Sequence, residues 1–568
     1  MNVRSIGNYA FQNCSNLSNV SISNNVTNIG NYAFSGCESL PNIILPNSLT
    51  TIGNNIFEGC SNLNSILIPA SVKSIGYNAF SGCDNLNKVI IPDISSWCRI
   101  EFQDYSDPES ISNPLSIAHH IYSDNDTEIV NLVIPNGVDS IKEKAFYGCT
   151  NLNSVKIPSS VKYIGKKAFG DCKSLNKVIV PDIASWCGVK FVTDYNWGDQ
   201  TCSNPLSIAH HLYSDENTEI TDLVIPEGVD SINESVFFGA SSLKSVSIPR
   251  SMKSIGGTAF YECSGLNKVI VPDIAAWCNI GFGDNPLKYA HHLYSDENTE
   301  IYDLAIPYGV KTINYQAFQG AEFLKSLSLS NSIEKIAGSA FSECSSLQSV
   351  VFPNGLKKIG KGAFWECSSL ETIVIPNSVI EIDEDAFGNC LSLYSVTSLI
   401  NMPFKLDKKA FRYTGETYNT DVIYMAATLY VPRGKMAMYQ LTEGWQKFLN
   451  VMETDTKFKL TYLLDGVVYK TYEIQTTEVI TPEAAPVKEG YIFSGWSEIP
   501  YLMPAHDVTI TGSLTVDPDY IEGVEIVEKD EEEPKDYYTV DGRHHQTHQR
   551  GFNIIRMSDG TIRKVLMK

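Results

Sequence analysis

Apolar and polar positions follow one pattern from the N-terminus to about residue 398. Residues 71–92, SVKSIGYNAFSGCDNLNKVIIP, show it: a Val or Leu, an Ile three residues on, an Ala-Phe pair, a Cys three after the Phe, a Leu, and a closing Val/Ile-x-Ile-Pro. Phe11, Phe34, Phe57 and Phe80 stand 23 residues apart, as do Phe146 and Phe169, Phe237 and Phe260, and then Phe318, Phe341, Phe364 and Phe387. A fixed period in the twenties predicts a solenoid, in which each coil buries its apolar face only against its neighbours. Alternation in the Leu-x-x-Val/Ile-x-Ile segment sends Leu63, Ile66 and Ile68 inward along a strand, which Pro69 ends. The Val-x-x-Ile-Gly and Ala-Phe positions fill the core on the return path. The glycine after the Ile, as at Gly53, Gly76, Gly165 and Gly360, is expected to permit a turn with positive φ.

Three longer units interrupt the array and resemble one another. Each opens on Pro-Asp-Ile-Ala/Ser-x-Trp-Cys and continues through Asn-Pro-Leu to Ala-His-His-Leu/Ile-Tyr-Ser-Asp. Their tryptophans, Trp97, Trp186 and Trp277, lie 89 and 91 residues apart, so two ordinary coils and one long one form a super-repeat. Asp93, Asp182 and Asp273 are expected to cap a short helix carrying the Trp. The polar runs after Tyr213 and Tyr294 read as hairpin turns. Between Cys and Asn the units carry 14, 16 and 6 residues, which marks a surface tip; the second tip holds Asp194, Tyr195, Trp197 and Asp199.

Past Cys390 the pattern loosens. Residues 1–398 are therefore expected to be the solenoid, and 399–454, with Phe411 as a last echo, its C-terminal cap. Residues 457–516 read as a separate small β module, with two alternating strands around Asp465-Gly466. An acidic linker, 517–536, precedes a hairpin-like tail, 537–568, with Asp541-Gly542 and Asp559-Gly560 at turns.

Composition narrows the partners. A formal net charge of −22 argues against nucleic acid, which needs clustered Lys and Arg, and against a polybasic grip on anionic lipid. No apolar run approaches the roughly 20 residues that span a bilayer. Met1 to Ile6 already match the register of Val72 to Ile75, so the sequence is expected to start inside a longer protein, and its lack of a leader carries no information on location.

Candidate chemistry is sparse. Ten of the 14 cysteines, from Cys14 to Cys390, sit three residues after the repeat Phe and should form a ladder about 4.8 Å per rung. Ala240 and Ala321 occupy two of those rungs, so the slot reads as one for a small buried thiol rather than a disulfide or metal ligand. The pairs His119-His120, His210-His211 and His291-His292 are too far apart, roughly 19 Å, to share one ion. On a strand, one His of each pair would pack and the other face solvent. No nucleophile elbow, phosphate loop or zinc-protease helix motif occurs, and no cofactor is expected.

The SIGxxAFxxC and LxxVxIP units resemble the BspA-like leucine-rich repeats of bacterial surface proteins, over about residues 1–453. GYIFSGW and MPAHDVTITGSL resemble the Listeria–Bacteroides repeat, a small β-grasp-like module, and the tail resembles the C-terminal sorting domains of Bacteroidetes type IX secretion. The fold these resemblances imply is a β-rich leucine-rich-repeat solenoid of about 23-residue repeats with three longer inserted units, followed by small all-β, β-grasp-like modules. They also imply a non-enzymatic, adhesin-like protein, secreted or at the cell surface in association with the outer membrane, whose partner is a host or microbial protein or glycan. A spacer that projects a further domain is the alternative. The residue between the two inward ones on each strand should face out, and Ile44, Leu67, Ile90, Val133, Ile179, Val224, Ile270, Val351 and Val374 would then form an apolar stripe for a ligand, broken at Ser21, Lys156, Ser247 and Ser328. The tip at Tyr195 and Trp197 is a rival surface.

Overall fold

In the computed structural model, placement is described for residues 3–103, 112–192, 203–414, 420–454, 457–475, 478–500, 503 and 507–517, and, for the backbone only, four strands within 536–567. The chain divides into two compact units, Met1–Glu453 and Thr454–Lys568.

The first unit is the solenoid. After the first, every ordinary coil contributes two short strands. Ser65–Leu67 pairs in parallel with Lys88–Ile90, placing Ile66 beside Val89, and Ser74–Ile75 pairs with Thr51–Ile52 on one side and Glu101–Phe102 on the other. A third set of rungs joins the Ala-Phe segments, as in Phe57 N–H to Ala79 O at 2.9 Å and Phe146 N–H to Ala168 O at 2.8 Å. Inside these ladders the phenylalanines stack face to face, with centroids 5.2 Å apart for Phe318–Phe341 and 5.3 Å for Phe341–Phe364. Burying one such side chain stabilises by about 1.5–3 kcal/mol. A single coil has nowhere else to put it, so order in each coil depends on the next.

The cysteine ladder has a polar role beyond size. Where the preceding coil has a ladder Phe, the thiol donates to its carbonyl: Cys60 Sγ to Phe34 O at 3.1 Å, Cys172 Sγ to Phe146 O at 3.2 Å, Cys390 Sγ to Phe364 O at 3.1 Å. Three rungs directly follow a long unit, where the preceding coil has no Phe carbonyl to accept: two carry Ala240 and Ala321, and the third carries Cys149, buried without such a bond. The thirteen described cysteines are free. Burial pushes their thiols up, Cys37 to about 11 and Cys60 and Cys390 to about 12. Maleimide at pH 8 is therefore expected to label exposed Cys14 in the native protein and to spare the twelve buried thiols until unfolding. Labelled Cys60 or Cys367 peptides from folded protein would refute this.

Glycine after the repeat Ile serves close approach, not positive φ. Gly53, Gly76, Gly165 and Gly360 all lie outside the left-handed region. A Cβ at Gly76 would fall 2.4 Å from Asn54 Oδ1, and one at Gly165 would fall 2.5 Å from Glu143 N. Neighbouring coils touch there. The left-handed residue comes two positions later, at Tyr32, Asn55, Asn78 and Lys167.

The strand ladder on the Val-x-Ile side breaks into four sheets, spanning Asn42 to Tyr122, Asn131 to Tyr213, Asp222 to Tyr294 and Asp303 to Thr454. Each of the first three ends at a long unit. The last continues through Thr428–Pro432 and Asn450–Thr454, while Phe411 extends the aromatic stack onto Phe387 at 5.0 Å and meets Tyr424 and Phe448 edge-on.

In the second unit, a four-stranded sheet runs in the order Val467–Gln475, Lys457–Leu464, Val508–Val516, Tyr491–Trp496, with the middle pair parallel. Left-handed Asp465 and Gly466 make its hairpin turn, as their sequence predicts. Its core is Leu460, Tyr462, Ile480, Met503, Val508 and Ile510. A second, antiparallel sheet joins His544–His545, Asp536–Thr539, Gly551–Arg556 and Ile562–Met567. The linker and the turns at Asp541-Gly542 and Asp559-Gly560 lie outside the described residues.

Candidate interaction surface

The long units replace an ordinary coil's backbone contacts with side chains, and in doing so set a hairpin at the sheet edge. Asp182 caps the helix Ile183–Cys187, accepting from Ser185 N at 3.3 Å, and drives Trp186 into the core. Where an ordinary coil would offer a Phe N–H to the next coil, Trp186 Nε1 donates to Val236 O at 3.0 Å. Asn204 Nδ2 donates to Val236 O and Ser235 O, both at 2.7 Å, while its Oδ1 accepts from Leu206 N at 2.9 Å. Trp97 with Asn113 and Trp277 with Asn285 treat Ala145 O and Ala317 O the same way.

The chain then turns through the short helix Leu206–Ala209 and left-handed His210, and strand Leu212–Tyr213 joins the ladder. Asp215 closes the hairpin by accepting from Asn217 N and Thr218 N at 2.9 and 3.0 Å, which holds its carboxyl below the usual range. Lys177 Nζ lies 4.3 Å from the Tyr213 ring centre and donates to Glu216 O at 2.7 Å. His211 Nδ1 stands 2.6 Å from Glu219 Oε1, and this bond is the main cause of that carboxyl's lowered pKa. The arrangement recurs twice. Lys88 sits on Tyr122 at 4.5 Å with His120 on Glu128 at 2.7 Å, and Lys268 sits on Tyr294 at 4.5 Å with His292 on Glu300 at 2.5 Å. Each exposed tip carries two carboxylates: Asp124 and Asp126, Asp215 and Glu216, Asp296 and Glu297. Among described residues these lysines are the surface features missed by reading the sequence, though a signal existed: on the Val-x-Ile ladder, Lys opens the strand only in the coil before each long unit.

The paired histidines of the three long units are not on strands, contrary to the expectation from sequence. His119, His210 and His291 end short helices in the left-handed conformation, with Nδ1 on Gly148 O, Gly239 O and Gly320 O. Neither member of any pair is packed in the core. Among the described residues no group of three His, Cys, Asp or Glu is placed to hold a metal ion.

The outward strand residues do not form a stripe. Ile44, Val133, Val224 and Val351 are exposed, at 75, 56, 64 and 41 %, and Leu67 and Ile270 are half-buried. Ile90, Ile179 and Val374 are buried. The cause lies in the next rung: Ile90 and Ile179 are in register with Tyr122 and Tyr213, and Val374 with Thr397, which is followed by Tyr430. On the strand before each hairpin a tyrosine in the next rung stands over this position, as Tyr294 does over half-buried Ile270, whereas Val133 and Val224, on the first strand after a long unit, are open. Tyr195 and Trp197 lie outside the described residues.

A family profile described as the BspA type leucine rich repeat region matches residues 1–107, 116–193, 207–280 and 293–417. No curated protein matches the chain. Among solved structures, the chain is similar to a leucine-rich repeat protein from Bacteroides ovatus (26 % identity, 73 % of this chain and 88 % of that one, TM-score 0.34). It is also similar to a leucine rich cell surface protein from Faecalibacterium prausnitzii (20 % identity, 78 % and 91 %, TM-score 0.31) and to a leucine-rich repeat protein from Eubacterium ventriosum (18 % identity, 67 % and 85 %, TM-score 0.30).

Proposed function

The chain belongs to the BspA type leucine-rich repeat family, and from that premise we propose that it is a non-enzymatic, adhesin-like protein of the cell surface that binds a protein ligand along the hairpin edge. One observation carries this reading: the same Lys–Tyr–His–Glu hairpin with an acidic tip is built three times on one ladder, in the first two cases just ahead of an exposed Val133 or Val224. Rigid aromatic and apolar contacts beside charge favour a ligand with basic groups, and repetition multiplies a modest affinity through effective concentration. We further read 1–398 as the display element, closed by 399–454. The parallel pair inside the mixed sheet of 457–516 supports a β-grasp-like module there. The antiparallel sheet of 537–568 is compatible with a sorting tail reached through the linker 517–536.

The test is an array of purified extracellular-matrix and serum proteins probed with the full chain and with a Val133→Glu/Val224→Glu variant. Capture by at least one protein, weakened at least about tenfold in the variant and by raised salt, is the expected result. Both substitutions fall on exposed positions, so the melting temperature should hold. Ile179→Glu would be a poor probe, because it buries a charge. Failure of every arrayed protein to capture the chain, or capture indifferent to the variant, would overturn the proposal and leave the spacer role.

A further inference from the structure

A second surface lies on the other side of the coil, where the residue after the ladder Phe changes from rung to rung. In five successive coils it is Gln319, Ser342, Trp365, Gly388 and Arg412. The rings beneath them stack at 5.0–5.5 Å, so these five residues stand in one row. Trp365 lies across the next rung: a Cβ at Gly388 would fall 2.5 Å from two indole carbons, so glycine there makes room for the ring. Tyr315 leans the same way over Gly338, where a Cβ would meet its ring at 3.4 Å. Between the two aromatics the floor is small, with Ser339, Ser342, Gly360 and Gly362, and a trough of about 740 Å³ opens. That is ligand-sized.

Two polar groups in this trough keep a hydrogen-bonding atom with no partner in the protein. The indole N–H of Trp97, Trp186, Trp277, Trp445 and Trp496 each donates to a main-chain carbonyl, whereas Trp365 Nε1, alone among the described tryptophans, has no acceptor in the protein. Gln319 is more than nine-tenths buried on the trough wall. Its Nε2 donates to Glu343 Oε1 at 2.9 Å, but its Oε1 has no donor. A buried acceptor of this kind is destabilising until a donor reaches it. Most of the rim's charges are paired, with Lys335 and Glu343, one of each sign, the lining charges outside an ion pair. Arg412 grips Asp385 with two N–H groups, Lys358 bridges Glu381 at 2.7 Å and Asp383 at 3.0 Å, and Lys361 holds Glu384 at 2.9 Å.

We propose that this trough binds a neutral oligosaccharide. A pyranose offers a C–H face to the electron-rich face of an aromatic ring, and hydroxyls that both donate and accept. Trp365 and Tyr315 supply two such faces, Trp365 Nε1 supplies a free donor and Gln319 Oε1 a free acceptor. The paired rim carboxylates keep unused lone pairs for further hydroxyls. An anionic ligand would find only Lys335 unpaired and would have to strip Lys358, Lys361 and Arg412 from their carboxylates, so the pairing favours a neutral one. The site is separate from the hairpin edge and stands or falls without it.

The experiment is a glycan array carrying neutral, sialylated and sulfated oligosaccharides, probed with the full chain and with Trp365→Ala and Gln319→Leu. Neutral glycans are expected to bind, and each variant to weaken binding about tenfold, the scale of one stacking or hydrogen-bonding contact. Gln319→Leu also removes the orphan acceptor, so its melting temperature should equal or exceed that of the parent, which keeps the test informative if Trp365→Ala folds poorly. Binding of acidic glycans only, of no glycan, or of neutral glycans with undiminished affinity in Gln319→Leu would overturn the assignment.

Discussion

Phe341→Ala is expected to destabilise the solenoid by about 3–5 kcal/mol. Phe341 is fully buried, with a ring stacked on each side, Phe318 at 5.2 Å and Phe364 at 5.3 Å. The cavity cannot collapse easily, because backbone rungs on both sides, such as Phe341 N–H to Ala363 O at 2.8 Å, fix the coil spacing. Each coil is held mainly by its neighbours, so removing one ring also weakens the coupling between the coils before and after it. The urea transition should therefore move to lower denaturant and broaden, whereas Val351→Ala at an exposed position should shift it by no more than about 0.5 kcal/mol. A loss below about 1 kcal/mol for Phe341→Ala would mean that the stack is not what holds adjacent coils together.

The second large effect concerns a polar side chain. Asn204 is 1 % exposed, gives both amide protons to the carbonyls of Ser235 and Val236, and accepts from Leu206 N. Asn204→Asp preserves the shape but turns two donors into a carboxylate aimed at two carbonyl oxygens, at a cost of about 3–5 kcal/mol at neutral pH. Burial beside those acceptors raises the folded-state pKa of the new Asp above its unfolded value near 3.9. The folded form then holds the proton more tightly, so stability falls as pH rises from the unfolded value through the folded one, and is recovered in part as pH is lowered to about 4. Asn204→Ala should cost less, about 2–3 kcal/mol, and its deficit relative to the parent should not change with pH. Urea melts of the parent and both variants at pH 4 and pH 7 decide it: an Asp deficit equal at the two pH values would contradict the bonding described for Asn204.

Much of the scaffold is readable from the chain because its causes repeat. A Phe every 23 residues demands a neighbour every 23 residues, and the Asp before each Trp helix caps it as composition predicts. The errors arise where a position depends on the next coil rather than on its own. Gly76 looks like a turn residue until Asn54 is placed against it. Ile179 and Val224 occupy equivalent strand positions, yet one is covered and the other open, because Tyr213 follows the first across the ladder. The trough depends on longer coincidences still, with Trp365 requiring Gly388 a full coil away. Such pairs are invisible to a pattern that scores each repeat separately.

The long units have a consequence for how the chain can grow. Trp186 and Asn204 present donors to Ser235 and Val236 that a preceding ordinary coil would have supplied from its backbone. The seam between one super-repeat and the next is thereby self-contained. A gene segment of about 91 codons can be duplicated or deleted there with both joints already adapted to each other, as Val133 to Val224 illustrates. Each duplication would lengthen the ladder by four rungs, roughly 19 Å, and add one more hairpin in register with the others. Array length, and with it the number of hairpins, can therefore change by copying alone, without any new packing solution in the core.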